Sequence, residues 1–407
     1  MNFLNEIAHR FPDAISLAAG RPFEGLFDLD DVHRYFDTYR RHLTARLGGD
    51  EEAVRRTLLQ YGRTKGIIHE LIAEHLRVDE DITADPQALV VTVGCQEALY
   101  LTLRALRRSD QDVLLAVTPS YVGVHGAASL VDMPVLPVRE SPEGIDLDDL
   151  RAQAARARAA GLNPRACYVI PDFANPSGIR LSLEARQRLL RIAAEEDLLL
   201  LEDNPYGLFG DRAPAGPPTL KALDDTARVV YLGSFAKTGL PGARVGYVLA
   251  DQRVPGTDGP LADQLAKIKS MLTVNTSPIA QAVIGGKLLA HGYSLRAANA
   301  RETEHYRSNL AQVLAGLQAR FGSTEGVSWN APSGGFFLLL TVPFPVGDEL
   351  LELSAEKFRV LWTPVHHFYA DAQPRNVMRL SFSHLRPKEI EEGLNRLADF
   401  IRYRPST

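Results

Sequence analysis

Between Leu89 and Ala250 the chain repeats one pattern, a short continuous apolar run followed by a segment with helical spacing. Leu89 to Val93 is such a run, and Gln96 to Arg107 is the helix candidate after it. Asp112 to Val117 precedes a helical segment from Gly123, and Cys167 to Ile170 precedes Ser182 to Glu195. Further runs stand at Leu198 to Leu201, Arg228 to Leu232 and Val245 to Leu249. Strands that are apolar on both faces and separated by helices predict an α/β domain with a mainly parallel, doubly covered sheet.

From Pro260 the pattern changes. Leu261 to Leu272 and Ile279 to Ala290 read as helices, and Tyr293 to Arg320 as one long amphipathic helix. Val327 to Thr341 reads as a strand pair around Pro332-Ser333-Gly334-Gly335, and Pro387 to Tyr403 as a last helix. The Pro/Gly-rich stretch Asp211 to Pro218 reads as a surface loop. The expected division is 1–45 as an N-terminal arm and part of a small domain, 46–292 as the large domain, and 293–407 as the α+β small domain.

Composition narrows the function classes. A net charge of −5 gives no general pull toward nucleic acid or anionic membrane. No apolar run approaches the ~20 residues of a membrane span, and Met1 to Gly20 shows no signal-peptide pattern. Cys95 and Cys167 form no disulfide framework or metal-spaced pair, which fits a reduced cytoplasmic setting. His366 and His367 have no third ligand at metal spacing, so no metal is expected. Of 45 basic residues only eight are lysines, so each lysine in a motif can be weighed singly.

Four stretches carry candidate chemistry. Tyr231-Leu-Gly-Ser234-Phe-Ala-Lys237 continues to Arg244 in a Pro-Gly loop. A hydroxyl and a planar guanidinium on one loop can hold a phosphate, and a lysine between them can attack a carbonyl. Alone, Lys237 reads equally as an ordinary turn lysine. Asp203 and Tyr206 follow the run Leu198 to Leu201, where α/β sheets place ligand groups. A carboxylate buried there needs a proton donor, such as a protonated ring nitrogen; the alternative is a capping Asp. Asn175 stands in the turn Asn175-Pro-Ser-Gly178, with its amide available to a ligand. Gly94-Cys95-Gln96 opens a helix after a strand, a place where backbone N–H groups bind anions.

In order and spacing these motifs resemble the fold-type I, pyridoxal-phosphate-dependent aminotransferases of class I/II, nearest in pattern to the 2-aminoadipate/kynurenine branch. Ile15-Ser-Leu-Ala-Ala-Gly-Arg-Pro, Leu59-Gln-Tyr61-Gly, Ser333-Gly-Gly-Phe-Phe and Met378-Arg379-Leu-Ser-Phe extend the resemblance over nearly the whole chain. It implies a mainly parallel, seven-stranded-type sheet in the large domain and pyridoxal 5'-phosphate as cofactor. It assigns Lys237 to the cofactor aldehyde, Asp203 to the pyridinium nitrogen, and Asn175 and Tyr206 to the ring 3-oxygen. Tyr121 would stack on the ring. Ser234, Arg244, Gln96 and the Gly94 and Cys95 backbone would hold the phosphate. Tyr61 would reach the phosphate of a neighbouring subunit, implying a homodimer. Arg379 would bind the substrate α-carboxylate, with Asn175, Gly20 and Arg21 on the substrate side. Arg21 could equally be solvated.

The resemblance implies ping-pong transfer of an amino group between an L-amino acid and a 2-oxo acid, in a branch where some relatives make nonproteinogenic amino acids for secondary metabolism. Two departures stand out: Ala236 replaces a frequent hydroxyl residue before the lysine, and Cys95 replaces a commoner Ser or Ala. Other chemistry on the scaffold, such as oxidase, β-lyase or racemase, shares most of these residues. A non-catalytic regulator would require a separate DNA-binding module, and domains seldom run below roughly 50 residues.

Overall fold

The computed structural model describes residues 6–7, 9–210 and 216–403. The first part of the expected Asp211 to Pro218 loop lies outside them. A two-residue strand, β1 (Ile15–Ser16), precedes the large domain. The apolar runs then become β2 (Leu89–Thr92), β3 (Asp112–Thr118), β4 (Val135–Ser141), β5 (Gly144–Ile145), β6 (Asn163–Val169), β7 (Leu199–Asp203), β8 (Val229–Ser234) and β9 (Gly246–Leu249). They form one sheet in the order β2-β9-β8-β7-β6-β3-β4-β5.

Strands β8, β7, β6, β3 and β4 run parallel, while β9 is antiparallel to both its neighbours. The two-residue β5 folds back on β4 and extends the edge of the expected seven-stranded arrangement. Every residue of β2 and β9 is buried, because helices cover both faces. Alternate residues of β6 divide between two cores: Ala166 and Tyr168 face one, Cys167 and Val169 the other.

The helices over Cys95–Leu106, Leu183–Glu195, Leu261–Leu272 and Pro278–Ala290 match the expected segments closely. Tyr293 to Arg320 differs. Tyr293 takes a positive φ of 68°, a short helix spans Leu295–Ala298, and the long helix starts only at Ala300. Buried Asn299 explains the break. Its side-chain amide donates to the Leu295 and Thr238 carbonyls at 2.7 and 2.8 Å, which competes with a continuous helix.

The C-terminal part of the chain carries β10 (Ser328–Trp329), β11 (Phe337–Val346), β12 (Val360–Leu361), β13 (Thr363–Pro364) and β14 (Arg375–Ser381). Its antiparallel sheet has the order β10-β11-β14-β13. β1 pairs in parallel with β12, which ties the N-terminal segment to this half. The helix Pro387–Tyr403 buries Ile390, Leu394, Leu397 and Ile401 in its core. That spacing of three and four places them on one helical face.

Candidate active site

The carboxyl ends of parallel strands converge where the two halves meet. β7 ends on Asp203 and β8 on Ser234, while β6 leads into the turn that carries Asn175. The helix that follows β2 begins at Cys95, capped by Gly94. From the four-stranded antiparallel sheet, β14 contributes Arg379 and β11 contributes Phe337. A single cleft is lined by Gly20, Cys95, Gln96, Tyr121, Asn175, Asp203, Tyr206, Ser234, Lys237, Arg244, Phe337 and Arg379, among others.

Asp203 is buried, and its hydrogen bonds come from neutral groups. Tyr168 donates its hydroxyl to Oδ2 at 2.6 Å, and the Cys95 thiol approaches Oδ1 at 3.5 Å. Burial pushes the Asp203 carboxyl up to about 6, against the pull of those two donors. Burial also holds Cys95 well above its ordinary thiol range, so it remains a donor. Asp203 has no ion-pair partner among the described residues, and a protonated ring nitrogen would supply the missing cation.

Lys237 sits on the short helix Phe235–Thr238, immediately after β8. Its Nζ donates to the Gly20 carbonyl at 2.7 Å and lies 5.8 Å from the centre of the Phe336 ring. Burial, then the positive charges of Arg379 and Arg244, lower its pKa to about 8. About a tenth of the amine is therefore unprotonated and nucleophilic at pH 7, far more than for an ordinary lysine.

Arg379 is a buried cation held by neutral acceptors. Nη1 donates to Asn175 Oδ1 at 2.7 Å, and Nη2 to the Ala18 carbonyl at 2.6 Å and Thr363 Oγ1 at 3.0 Å. Its Nε is buried without a hydrogen-bond partner. The guanidinium lies 4.2 Å from the centre of the Phe337 ring, a cation–π arrangement. An uncompensated cation with a spare N–H suits a carboxylate ligand.

At the opposite end, Arg244 stands in the left-handed region at φ 52° and brings its guanidinium against Gly94. A Cβ on Gly94 would meet Arg244 Nη2 at 2.5 Å, and Gly94 itself has φ +76°. Ser234 Oγ accepts from the Ala236 N–H at 3.2 Å. Gln96 lines the cleft and donates its side-chain amide to the Gly123 carbonyl at 2.8 Å. The start of the Cys95–Leu106 helix adds its first-turn N–H groups and the positive end of its dipole.

Tyr121 caps the next helix and lines the cleft. Tyr206 is buried between Phe336 and Phe337, with ring centres 5.2 and 5.7 Å away, and hydrogen-bonds Asn175. Gly20 enters through its carbonyl. Arg21 is exposed and Tyr61 is 86% exposed, and neither is among the residues that line this cleft. Sequence reasoning gave no role to Tyr168, Thr363 or the Ala18 carbonyl. Tyr168 carried a signal: a tyrosine in a buried strand needs a hydroxyl partner.

Pyridoxal phosphate fits this set. The cleft offers an unpaired buried carboxylate, an amine of lowered pKa and an anion-binding helix start with Arg244 beside it. These match the ring nitrogen, the aldehyde and the phosphate.

The comparisons agree. Residues 41–397 match the profile of the family described as Aminotransferase class I and II. The chain is 55% identical over 404 residues to an (S)-3,5-dihydroxyphenylglycine transaminase of Amycolatopsis orientalis, covering 99% of this chain and 91% of that protein. It is 30% identical over 398 residues to a 2-aminoadipate transaminase of Thermus thermophilus, covering 96% and 91%. A Pyrococcus horikoshii kynurenine aminotransferase solved with PMP superposes with a TM-score of 0.84 at 27% identity, covering 99% of this chain and 95% of that one. The chain therefore belongs to the class I and II aminotransferases of fold type I and is a pyridoxal-phosphate-dependent transaminase.

Proposed function

We propose that this transaminase acts on a nonproteinogenic arylglycine, of the kind named for its 55%-identical relative, in a biosynthetic route. The aromatic and aliphatic lining around Arg379 (Tyr121, Ile170 and Phe337) supports an aryl side chain. The observation that carries the catalytic assignment is Lys237, whose lowered amine faces the cleft shared by Asp203 and Arg379.

Pyridoxal phosphate, when bound, supplies an electron sink for the pair left at the amino acid Cα. Arg379 takes the α-carboxylate on its free edge while Asn175 and Thr363 fix the plane of the guanidinium. Lys237 Nζ, once released, takes the Cα proton as base and returns a proton as acid; its pKa of about 8 suits both directions. Asp203 would hold the ring nitrogen and favour its protonated form. Tyr168 and Cys95 keep that carboxylate oriented, acting as positioning residues. Phe337 and Tyr206 wall the cleft from water.

The assembly we propose is a homodimer in which Tyr61 reaches the neighbouring cleft. Leu59, Tyr61, Met271, Leu272 and Ile279 are all exposed, which supports a covered face. Two free cysteines support a cytoplasmic setting, and no helix among the described residues is long and apolar enough to cross a membrane. The division at 46–292 and 293–407 remains our proposal for the domains.

The test is an amino-acid panel given to the purified holoenzyme: phenylglycines, aminoadipate, kynurenine and leucine. Pyridoxamine phosphate and the matching oxo acid should form fastest with hydroxylated phenylglycines. Faster turnover of aminoadipate or kynurenine would overturn the substrate reading. Oxo acid that appears only with oxygen uptake and ammonia release would overturn transamination.

A further inference from the structure

Sequence spacing offered the adjacent histidines His366 and His367 no third ligand, but the fold brings one. Both lie on the 3-10 turn Val365–Phe368, just before β14. Asp348 opens the helix Asp348–Leu353, nineteen residues before His367 in the chain. His367 Nε2 lies 2.8 Å from Asp348 Oδ1, and His366 Nε2 lies 3.4 Å from the same oxygen. The imidazole centres are 4.2 Å apart, tilted by 38°. One ligand atom from each of the three residues falls within 4.8 Å of the others.

A hydrogen bond accounts for the His367 contact. It does not account for His366, which is buried and presents Nε2 to the same oxygen from beyond good hydrogen-bond distance. Two nitrogens and one carboxylate oxygen converging from separate elements are a ligand set for a borderline divalent ion. Bonds of about 2.0–2.2 Å around Zn²⁺ place tetrahedral ligands roughly 3.3 Å apart, within small side-chain rotations of this arrangement. Asp348 is part-exposed, with 39% of its side chain accessible, so an ion has an entry path and room for a water as fourth ligand.

We propose that Asp348, His366 and His367 form a site for a divalent transition-metal ion of the Zn²⁺ class. This site is separate from the transamination cleft, whose lining contains none of the three. Occupancy staples the Asp348–Leu353 helix to the turn that ends in Phe368. The Phe368 carbonyl accepts from the Ser120 N–H at 2.9 Å, and its ring lies 5.0 Å from the Arg379 guanidinium. A bound ion thus fixes a segment that touches both halves of the molecule.

The test uses tag-free holoenzyme, dialysed against chelator and then titrated with Zn²⁺ in phosphate-free buffer. Calorimetry and elemental analysis should give one ion per chain, with a rise in thermal midpoint. Co²⁺ in its place should develop ligand-field bands to the red of the cofactor absorbance. Asp348→Asn and His367→Ala should each weaken binding by at least about tenfold. Their metal-free cofactor spectra and thermal midpoints report whether they fold as the parent does. Absence of saturable binding to the parent would overturn the proposal. So would Zn²⁺ affinity that survives both substitutions, which would mark the ion as bound elsewhere.

Discussion

Tyr168 and Asp203 meet on the same face of adjacent parallel strands, hydroxyl to carboxylate at 2.6 Å. Tyr168 pairs in register with Leu201, so Asp203 stands two residues further along, at the strand end that faces the cleft. Removing this donor leaves a buried carboxylate short of its stronger hydrogen bond, a loss of about 1–3 kcal/mol. Tyr168→Phe is expected to lower kcat roughly tenfold while the KM for the amino acid stays within a few-fold. Steady-state kinetics and a denaturant titration would check both halves. A KM effect larger than the kcat effect would show that Tyr168 serves substrate binding instead.

The same carboxylate makes the cofactor-free protein sensitive to pH. Burial raises Asp203 from its ordinary 3.8 to about 6, so folding favours its protonated form. That stabilisation is fully present below pH 4 and is lost as pH rises through about 6. It amounts to something on the order of 3 kcal/mol. The apoprotein should therefore gain in relative stability between pH 7 and pH 5 at this site, and Asp203→Asn should remove that part of the slope. With cofactor bound, the ring-nitrogen cation compensates the carboxylate and the slope should flatten. Unfolding of apo, holo and variant proteins across this pH window would decide it.

If Lys237 is the covalent attachment point we propose, Lys237→Ala should abolish turnover and the yellow cofactor band together. Borohydride should fix cofactor to the parent protein and not to the variant. A normal band in the variant would refute the assignment of Lys237.

Arg379→Lys keeps the charge and loses the planar fork. Asn175, Thr363 and the Ala18 carbonyl are arranged around a guanidinium, and an ammonium cannot serve all three and a carboxylate together. A loss of about 10–100-fold in kcat/KM is expected, mainly through KM, by analogy with charge-assisted hydrogen bonds of 1.5–3 kcal/mol. Amines without a carboxylate should show no difference between the two proteins.

Much of this was legible in the chain. The period of apolar runs located the strands because parallel strands are apolar on both faces, and their ends located Asp203 and Ser234. What stayed hidden required three-dimensional contact. Thr363 meets Arg379 only because β13 pairs with β14. Asp348 meets His367 only through the fold of the small domain. The break at Asn299 was hidden for the same reason, since its amide finds the Thr238 carbonyl, sixty-one residues away in the chain. Arg21 and Tyr61 are exposed and neither lines the cleft of their own chain.

Gly94 offers a separate test of the anion end of the cleft. Its φ of +76° and ψ of 166° lie in a region that is essentially reserved for glycine, at a cost of about 1–3 kcal/mol to an L-residue. A methyl group there would also meet Arg244 Nη2 at 2.5 Å. The obstructing atom is the tip of a flexible side chain, so the protein should fold and the guanidinium should move aside. Gly94→Ala is therefore expected to cost about 1–3 kcal/mol of stability and to weaken pyridoxal phosphate about tenfold, as one charge-assisted hydrogen bond is lost. Gly126 provides the control: it lies within the helix Val122–Leu130, and a Cβ there meets nothing within 4 Å. Gly126→Ala should leave cofactor affinity unchanged and raise stability by up to about 1 kcal/mol, the helix-propensity difference. Equal cofactor affinity in both variants would mean that Arg244 does not hold the phosphate.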